Sequence, residues 1–223
     1  MMKDLHSWKV DVQEAIRIQE DLRDHLILKK SFSEVRRIGG GDVAYSENRN
    51  LLFGAIVVLS FPKMETLDVA TADGKIPFPY IPGLLSFREG PILIQIFEKL
   101  KVKPDVMIFD GQGIAHPRAF GLASHLGLWF DLPSIGCAKT PLLKGFISPG
   151  ASKGSYELIR KDGKEVGAVL RTKDNVKSLF ISPGHRIDLM TSIQLILDTC
   201  QRFRLPEPVR RAHQFAQRIA HRT

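Results

Sequence analysis

The sequence predicts an α/β protein, a mixed central sheet with helices on its faces, and three observations carry that prediction. Three β-like runs follow one another across connections so short that they must pair antiparallel. Two short, wholly apolar runs then alternate with helical patterns, which is how strands buried on both faces read. The 223 residues, 43% of them hydrophobic and 25% charged, suffice for one large core but not for two full domains, so residues 1–223 are read as a single unit.

Residues 1–30 form an N-terminal brace: from Val10 to about Lys29, Val12, Ile16, Leu22 and Leu26 recur among charged residues with the spacing of an amphipathic helix. The β runs are Val35 to Tyr45, Leu51 to Ser60 and Thr66 to Ala72, turning at Asn48-Arg49-Asn50 and near Pro62. Pro77-Phe78-Pro79-Tyr80-Ile81-Pro82-Gly83 is a stiff loop, because its prolines fix φ and remove backbone donors. A helical pattern covers Leu84 to Leu100, and Pro104 to Phe109 is a buried strand ending on Asp110. A helix with proline in its first turn is expected from Pro117 to about Phe130, followed by a buried strand, Ser134 to Ala138. Residues 145–175 read as a peripheral insertion: a glycine-rich stretch, then a hairpin of Tyr156–Arg160 and Val166–Arg171 turning at Asp162-Gly163. A strand at Ser178–Ile181 meets Ser182-Pro183-Gly184-His185, which has the look of a helix start before the helical spacing of Ile187–Cys200. A basic helix, Pro208 to about His221, occupies residues 207–223.

Lys and Arg number 32 against 24 Asp and Glu, a formal charge of +8 that favours polyanionic partners. Arg202, Arg204, Arg210, Arg211, Arg218 and Arg222 crowd the C-terminal end beside a single acid, Glu207, and Lys139, Lys144 and Lys153 form a second group. Such clusters neutralise phosphates and make binding salt-dependent, although an arginine-rich helix is also a common solvated face. The two cysteines, Cys137 and Cys200, exclude a disulfide scaffold and lack the paired spacing of a zinc site, so a reducing, cytoplasmic setting is expected. No run resembles a signal peptide or a membrane span, and no membrane or obligate protein partner is expected.

Three acids stand apart from the solvated majority. Asp42 follows Gly39-Gly40-Gly41 inside a strand-like run, Asp110 ends a buried strand just before Gly111-Gln112-Gly113, and Glu89 lies early in the helix after the stiff loop. A carboxylate held against an apolar core needs a cation or hydrogen bonds, and Mg²⁺, a hard ion bound by oxygens, is the natural candidate. Taken singly, each also suits a plainer role as cap, turn residue or dipole partner. Two glycine patterns fail as nucleotide fingerprints. Gly39-Gly40-Gly41-Asp42-Val43-Ala44 leads into a strand where a helix is required, and in Gly111-Gln112-Gly113-Ile114-Ala115-His116 a histidine takes the third glycine position. The second set is free instead to admit a flat ligand against the backbone. His116 and His185 have no ligand spacing and are read as structural.

The run Ile38-Gly39-Gly40-Gly41-Asp42-Val43-Ala44-Tyr45 resembles the endonuclease V family. So do Pro79-Tyr80-Ile81-Pro82-Gly83 with the following Leu84-Leu85-Ser86-Phe87-Arg88-Glu89, the run Asp110 to Arg118, and Ile135-Gly136-Cys137-Ala138-Lys139. The likeness extends from about residue 10 to 215, in family order. The triple glycine before Asp42 and the aromatic at Tyr45 are its departures.

The resemblance implies a ribonuclease-H-like fold and a Mg²⁺-dependent endonuclease, with Mn²⁺ as substitute, that acts on deaminated bases, chiefly deoxyinosine in double-stranded DNA. It would cut the second phosphodiester bond 3′ to the lesion and leave the lesion in place. On the same basis Asp42, Glu89 and Asp110 are the metal-binding acids, His213 the fourth active-site residue, and Lys139 the cation near the scissile phosphate. His213 also lies beside the apolar stripe of Val209, Ala212, Ala216 and Ile219. Tyr80, stiffened by Pro79 and Pro82 and followed by Ile81, resembles a wedge that fills the space of the lesion. The lesion pocket is expected from main-chain groups near Gly83, Leu85, Gly111, Gly113, Gly136 and Ala138, walled by Leu122 and Leu142, because hypoxanthine differs from adenine by a carbonyl and a ring N–H. An RNA-directed version of the enzyme and a non-catalytic binder of damaged DNA are the rivals. Single-stranded DNA and RNA stay open as substrates.

Overall fold

The wholly apolar run at 106–109 is the strand on which the architecture turns, because its side chains alternate between two cores. The structure, a computed structural model, describes residues 5–222, with the side chain of Arg222 excepted. The outermost ends of the expected brace and basic helix, residues 1–4 and 223, lie outside the described residues. Strands β1 (Arg37–Ser46), β2 (Leu51–Ser60) and β3 (Thr66–Lys75) form the antiparallel meander, and β4 (Val106–Phe109) then lies parallel to β1. Val106 and Ile108 join one core and Met107 and Phe109 the other, the period-2 alternation of a strand covered on both faces.

Strand β5 (Ser134–Ala138) is parallel to β4, and β6 (Tyr156–Lys161), β7 (Lys164–Leu170) and β8 (Leu179–His185) complete one eight-stranded sheet in the order β3-β2-β1-β4-β5-β8-β7-β6. The antiparallel meander beside parallel β1, β4 and β5 is a ribonuclease-H-like arrangement. Helices α2 (Leu85–Lys99) and α3 (Leu122–Phe130) cover the Met107 face through Leu93, Ile96 and Leu126. The other face packs against α4 (Leu189–Thr199) and α5 (Glu207–Arg222), which bring Ile193, Ile196, Val209 and Ala212. Helix α1 (Val12–Leu22) buries Ala15 and Ile18 with Phe78, Leu84 and Phe87. Among the described residues no helix is long and apolar enough to cross a membrane.

Several boundaries move. The brace helix stops at Leu22 with one further 3₁₀ turn, Arg23–His25, well short of Lys29. The helix expected from Pro117 begins only at Leu122. Residues 117–121 instead fold back on the loop after β4, with the Gly121 amide donating to Gly113 O (3.0 Å) and the Ala123 amide to Gln112 O (3.0 Å). Ser182–His185 is not a helix start but the second half of β8: Ser182 pairs with Gly136, and Pro183 O accepts from the Ile114 amide at 2.9 Å. The helix start lies six residues after Pro183, where Asp188 caps α4 by accepting from the Thr191 amide. The hairpin expected at the periphery forms the outer edge of the sheet, its inner strand β7 bonded to β8.

Candidate active site

Parallel pairing brings the first two acids together. Gly41 stands opposite Phe109, so the next residue of each segment, Asp42 and Asp110, emerges at the same end of the sheet, and the Asp110 amide donates to Gly41 O at 3.3 Å. Glu89, in the second turn of α2, is enclosed, and Tyr45 from β1 donates its hydroxyl to Glu89 Oε1 at 2.5 Å. His213 arrives from α5 with Nδ1 2.7 Å from Asp42 Oδ2, the nitrogen donating because a carboxylate only accepts. Gly40 makes that approach possible: a Cβ there would lie 2.1 Å from the Pro208 carbonyl carbon, so only glycine lets the start of α5 cross β1 so closely. Lys139, just past β5, pairs with Asp110. The structure thus gathers all five expected catalytic residues.

Their charges oppose one another. Burial, then the charge of Asp110, lifts the Asp42 carboxyl to about 6 against the pull of His213. Burial pushes Glu89 up to about 8; the Tyr45 hydroxyl resists this, and the charges of Asp42 and Asp110 add to it. Burial works against the charge of Lys139, but Asp110 outweighs it and holds the ammonium above its ordinary range. Among the described residues no three histidine, cysteine or acidic side chains stand in a ready ligating array; each acid is tied to its own partner, His213, Tyr45 or Lys139. The donor set still has the chemistry of a hard-cation site: oxygens only, partly desolvated, and destabilised by mutual repulsion that a divalent ion relieves.

Beside the acids opens a cavity of about 420 Å³, within the range of small-molecule sites. Gly83, Leu85, Gly111, Leu122, Ala138 and Leu142 line it, as do Tyr80, Ile81, Pro82, Asp110 and Lys139. Gly113 and Gly136 stand one layer behind. A Cβ on Gly136 would lie 2.3 Å from the Gly113 amide nitrogen, and one on Gly113 would lie 2.1 Å from Pro183 O, so these glycines admit the protein's own backbone and not a ligand. Tyr80, 70% exposed, projects at the rim, and Pro79 is exposed beside it.

Residues to which the sequence assigned no site role complete the site. Arg88, buried, donates from Nη1 to Phe78 O (3.0 Å), pairs with Glu47 (2.6 Å) and stacks over the Tyr45 ring at 4.7 Å, so it anchors the base of the Tyr80 loop. His116, read as structural, lines the cavity, and burial lowers its pKa to about 4. Gln19 of α1 lines it too; its one legible signal is a polar side chain four residues after Ala15, on the apolar face of the helix. The C-terminal arginines are less available than their number suggests, since Glu207 pairs with Arg210 and Arg211, and Arg210 stacks on Phe203.

The endonuclease V family model matches residues 20–214. An endonuclease V of Dictyoglomus turgidum is 48% identical over 97% of this chain and 94% of its own length. The crystal structure of the Streptomyces avermitilis endonuclease V superposes with a TM-score of 0.91 at 39% identity, covering 97% of this chain and 96% of that one. The Ciona intestinalis endonuclease V, solved in complex with a 24-mer DNA containing an inosine followed by a ribo-adenosine, gives 0.84 at 29% identity over 95% of this chain and 98% of that one. With most of its length matched by the family model and by these relatives, the chain belongs to the endonuclease V family of nucleases.

Proposed function

We propose that the protein is a Mg²⁺-dependent DNA-repair endonuclease, served also by Mn²⁺. It recognises deaminated bases in double-stranded DNA, deoxyinosine foremost, and hydrolyses the second phosphodiester bond 3′ to the lesion, leaving the lesion in place. One observation carries this reading: three mutually repelling acids and a lysine flank a cavity whose rim bears an exposed tyrosine on a proline-stiffened loop. The inosine-containing DNA held by the Ciona relative supports the substrate class.

Asp42, Glu89 and Asp110 would hold the metal, and it would offset the burial and neighbouring negative charge that raise the carboxyls of Asp42 and Glu89. When bound, the ion supplies the positive charge that activates water and offsets charge at phosphorus. His213 fixes the Asp42 carboxylate through Nδ1. Lys139 adds a point charge for the pentacoordinate phosphate, where preorganised electrostatics do most of the work. Extrusion is easiest for a weakly paired base, so an inosine mispair supplies part of the selectivity. Tyr80 then fills the vacated space, with stacking worth about 1–3 kcal/mol per base. The extruded base enters the cavity, where main-chain groups near Gly83, Leu85, Gly111 and Ala138 face its Watson–Crick edge between Leu122 and Leu142. A reducing, cytoplasmic setting suits the free, buried thiols of Cys137 and Cys200.

The test is a labelled duplex carrying one deoxyinosine, incubated with wild type or Asp42→Ala, in Mg²⁺ or chelator, and sized on a denaturing gel. The expected product is a single metal-dependent nick just 3′ of the lesion, absent with the variant; tight binding without cleavage under every metal condition sinks the nuclease reading. The ribo-adenosine in the Ciona ligand favours a second arm, the same assay with inosine in RNA. Preferential cleavage there makes the enzyme an endoribonuclease.

A further inference from the structure

Helix α1 buries a glutamine where its pattern calls for an apolar side chain, and the neighbours explain why. Gln19 is 1% exposed, and both its amide hydrogens and its carbonyl oxygen find partners inside the protein. Its Nε2 donates to the carbonyls of Gly83 (3.0 Å) and Phe120 (2.9 Å), and its Oε1 accepts from Arg118 Nε at 2.6 Å. Arg118 Nη2 also donates to Gly83 O, at 2.9 Å. The same oxygen lies 2.9 Å from His116 Nε2, and because His116 Nδ1 accepts from the Arg118 amide (3.1 Å), Nε2 carries the proton and donates. One carbonyl with two lone pairs therefore faces three donors from two distant segments. Gly83 has φ +85°, and a Cβ there would sit 2.9 Å from Arg118 Nη2, so the bracket closes only on glycine. Gly83 also ends the loop that carries Tyr80, and it lines the cavity.

We propose that Gln19 is a positioning residue for lesion capture: together with Arg118 it holds the Gly83 peptide in the orientation that shapes the cavity wall and aims the Tyr80 loop. This rests on the reading of the cavity as the seat of the extruded base. Gln19 touches no reacting atom, and the acids and Lys139 are held by other partners, so the bracket governs how well a lesion is captured and not how fast the bond breaks.

Single-turnover cleavage of the labelled deoxyinosine duplex in Mg²⁺ is followed against enzyme concentration for wild type, Gln19→Met, Arg118→Met and the double variant, with unlabelled undamaged duplex as competitor. In each single variant the half-saturating enzyme concentration is expected to rise about tenfold, the magnitude of a charge-assisted bracket lost, with the maximal rate within about twofold. The inhibition constant of the undamaged duplex stays at its wild-type value. The double variant is no worse than the weaker single one, because both side chains act through one carbonyl. Half-saturation at the wild-type value, additive losses in the double variant, or a parallel tenfold weakening of the undamaged competitor each overturns the proposal. Should Gln19→Met not fold, Arg118→Met, whose side chain is partly exposed, carries the test by the same criteria. A wild type that does not distinguish the two duplexes overturns the lesion reading itself, and this inference with it.

Discussion

The stretch over which β1 and β4 pair has acids just beyond both its ends, and the two ends are built in opposite ways. At one end Asp105 accepts from the amides of Arg36 and Arg37, each at 2.9 Å, and from Arg37 Nη2 at 2.6 Å. Burial works to raise its pKa, but Arg37 and the two amides prevail and hold the carboxyl below the ordinary range. At the other end Asp42 and Glu89 are raised, to about 6 and about 8, in a cluster with too few cations for its acids. The same pair of strands thus ends in a stapled carboxylate on one side and a frustrated group on the other. A carboxylate whose partners are all within the chain contributes to folding; carboxylates that burial and one another push up reserve their stabilisation for something that binds.

The sharpest way to break this contrast is Asp110→Asn. It removes a charge at the frustrated end and frees Lys139, so cleavage of the deoxyinosine duplex should fall by about a thousandfold or more, as expected when a ligand of a phosphoryl-transfer metal is lost. The melting temperature of the metal-free protein should hold or rise. A variant that still nicks within tenfold of wild type would remove Asp110 from the catalytic set.

Asp105→Ala is the mirror-image change. Losing charge-assisted bonds to two amides and a guanidinium costs about 2 kcal/mol, which lowers the melting temperature of a chain of this size by about 4–8 °C. The rate of cleavage by the folded protein should not change. A thermal melt and a single-turnover assay on one preparation check both, and a large loss of rate without a loss of stability would reverse the roles assigned to the two ends.

How much of this was legible in the sequence follows from how local each cause is. Strands β2 and β5 begin and end where expected, because apolar runs and the turns beside them are properties of adjacent residues. Asp42, Glu89 and Asp110 were legible as acids out of place in apolar surroundings. The start of α3 and the second half of β8 were not, since Pro117 and Pro183 read locally as helix openers. What decides them is hydrogen bonds from 112–114 to 121–123 and 183. The bond from His213 to Asp42 joins residues 171 positions apart and was reachable only through the family resemblance. Gln19 carries no motif, and Arg88, although it stands within a family-like run, has no role legible from it; their roles exist only once the carbonyls of Gly83 and Phe78 have been brought to them.

The smallest expected effect is also the one that tests the frustrated end without any DNA. Glu89, raised to about 8, binds a proton more tightly in the folded than in the unfolded chain. The stability linked to that proton is therefore complete below the ordinary carboxylate range and is lost as pH rises toward about 8, so the metal-free protein should melt lower at pH 8 than at pH 6. Glu89→Gln keeps the shape, replaces the ionisable oxygen with an amide, and should flatten that decline, raising the metal-free melting temperature at pH 8 by about 2–4 °C for each kcal/mol recovered. Added Mg²⁺ should raise the wild-type melting temperature at pH 8 and leave the variant nearly unmoved. A wild type whose metal-free stability climbs between pH 6 and pH 8 would mean that Glu89 is ionised without a cation. The contrast between the two ends of β1 and β4 would then rest on Asp42 alone.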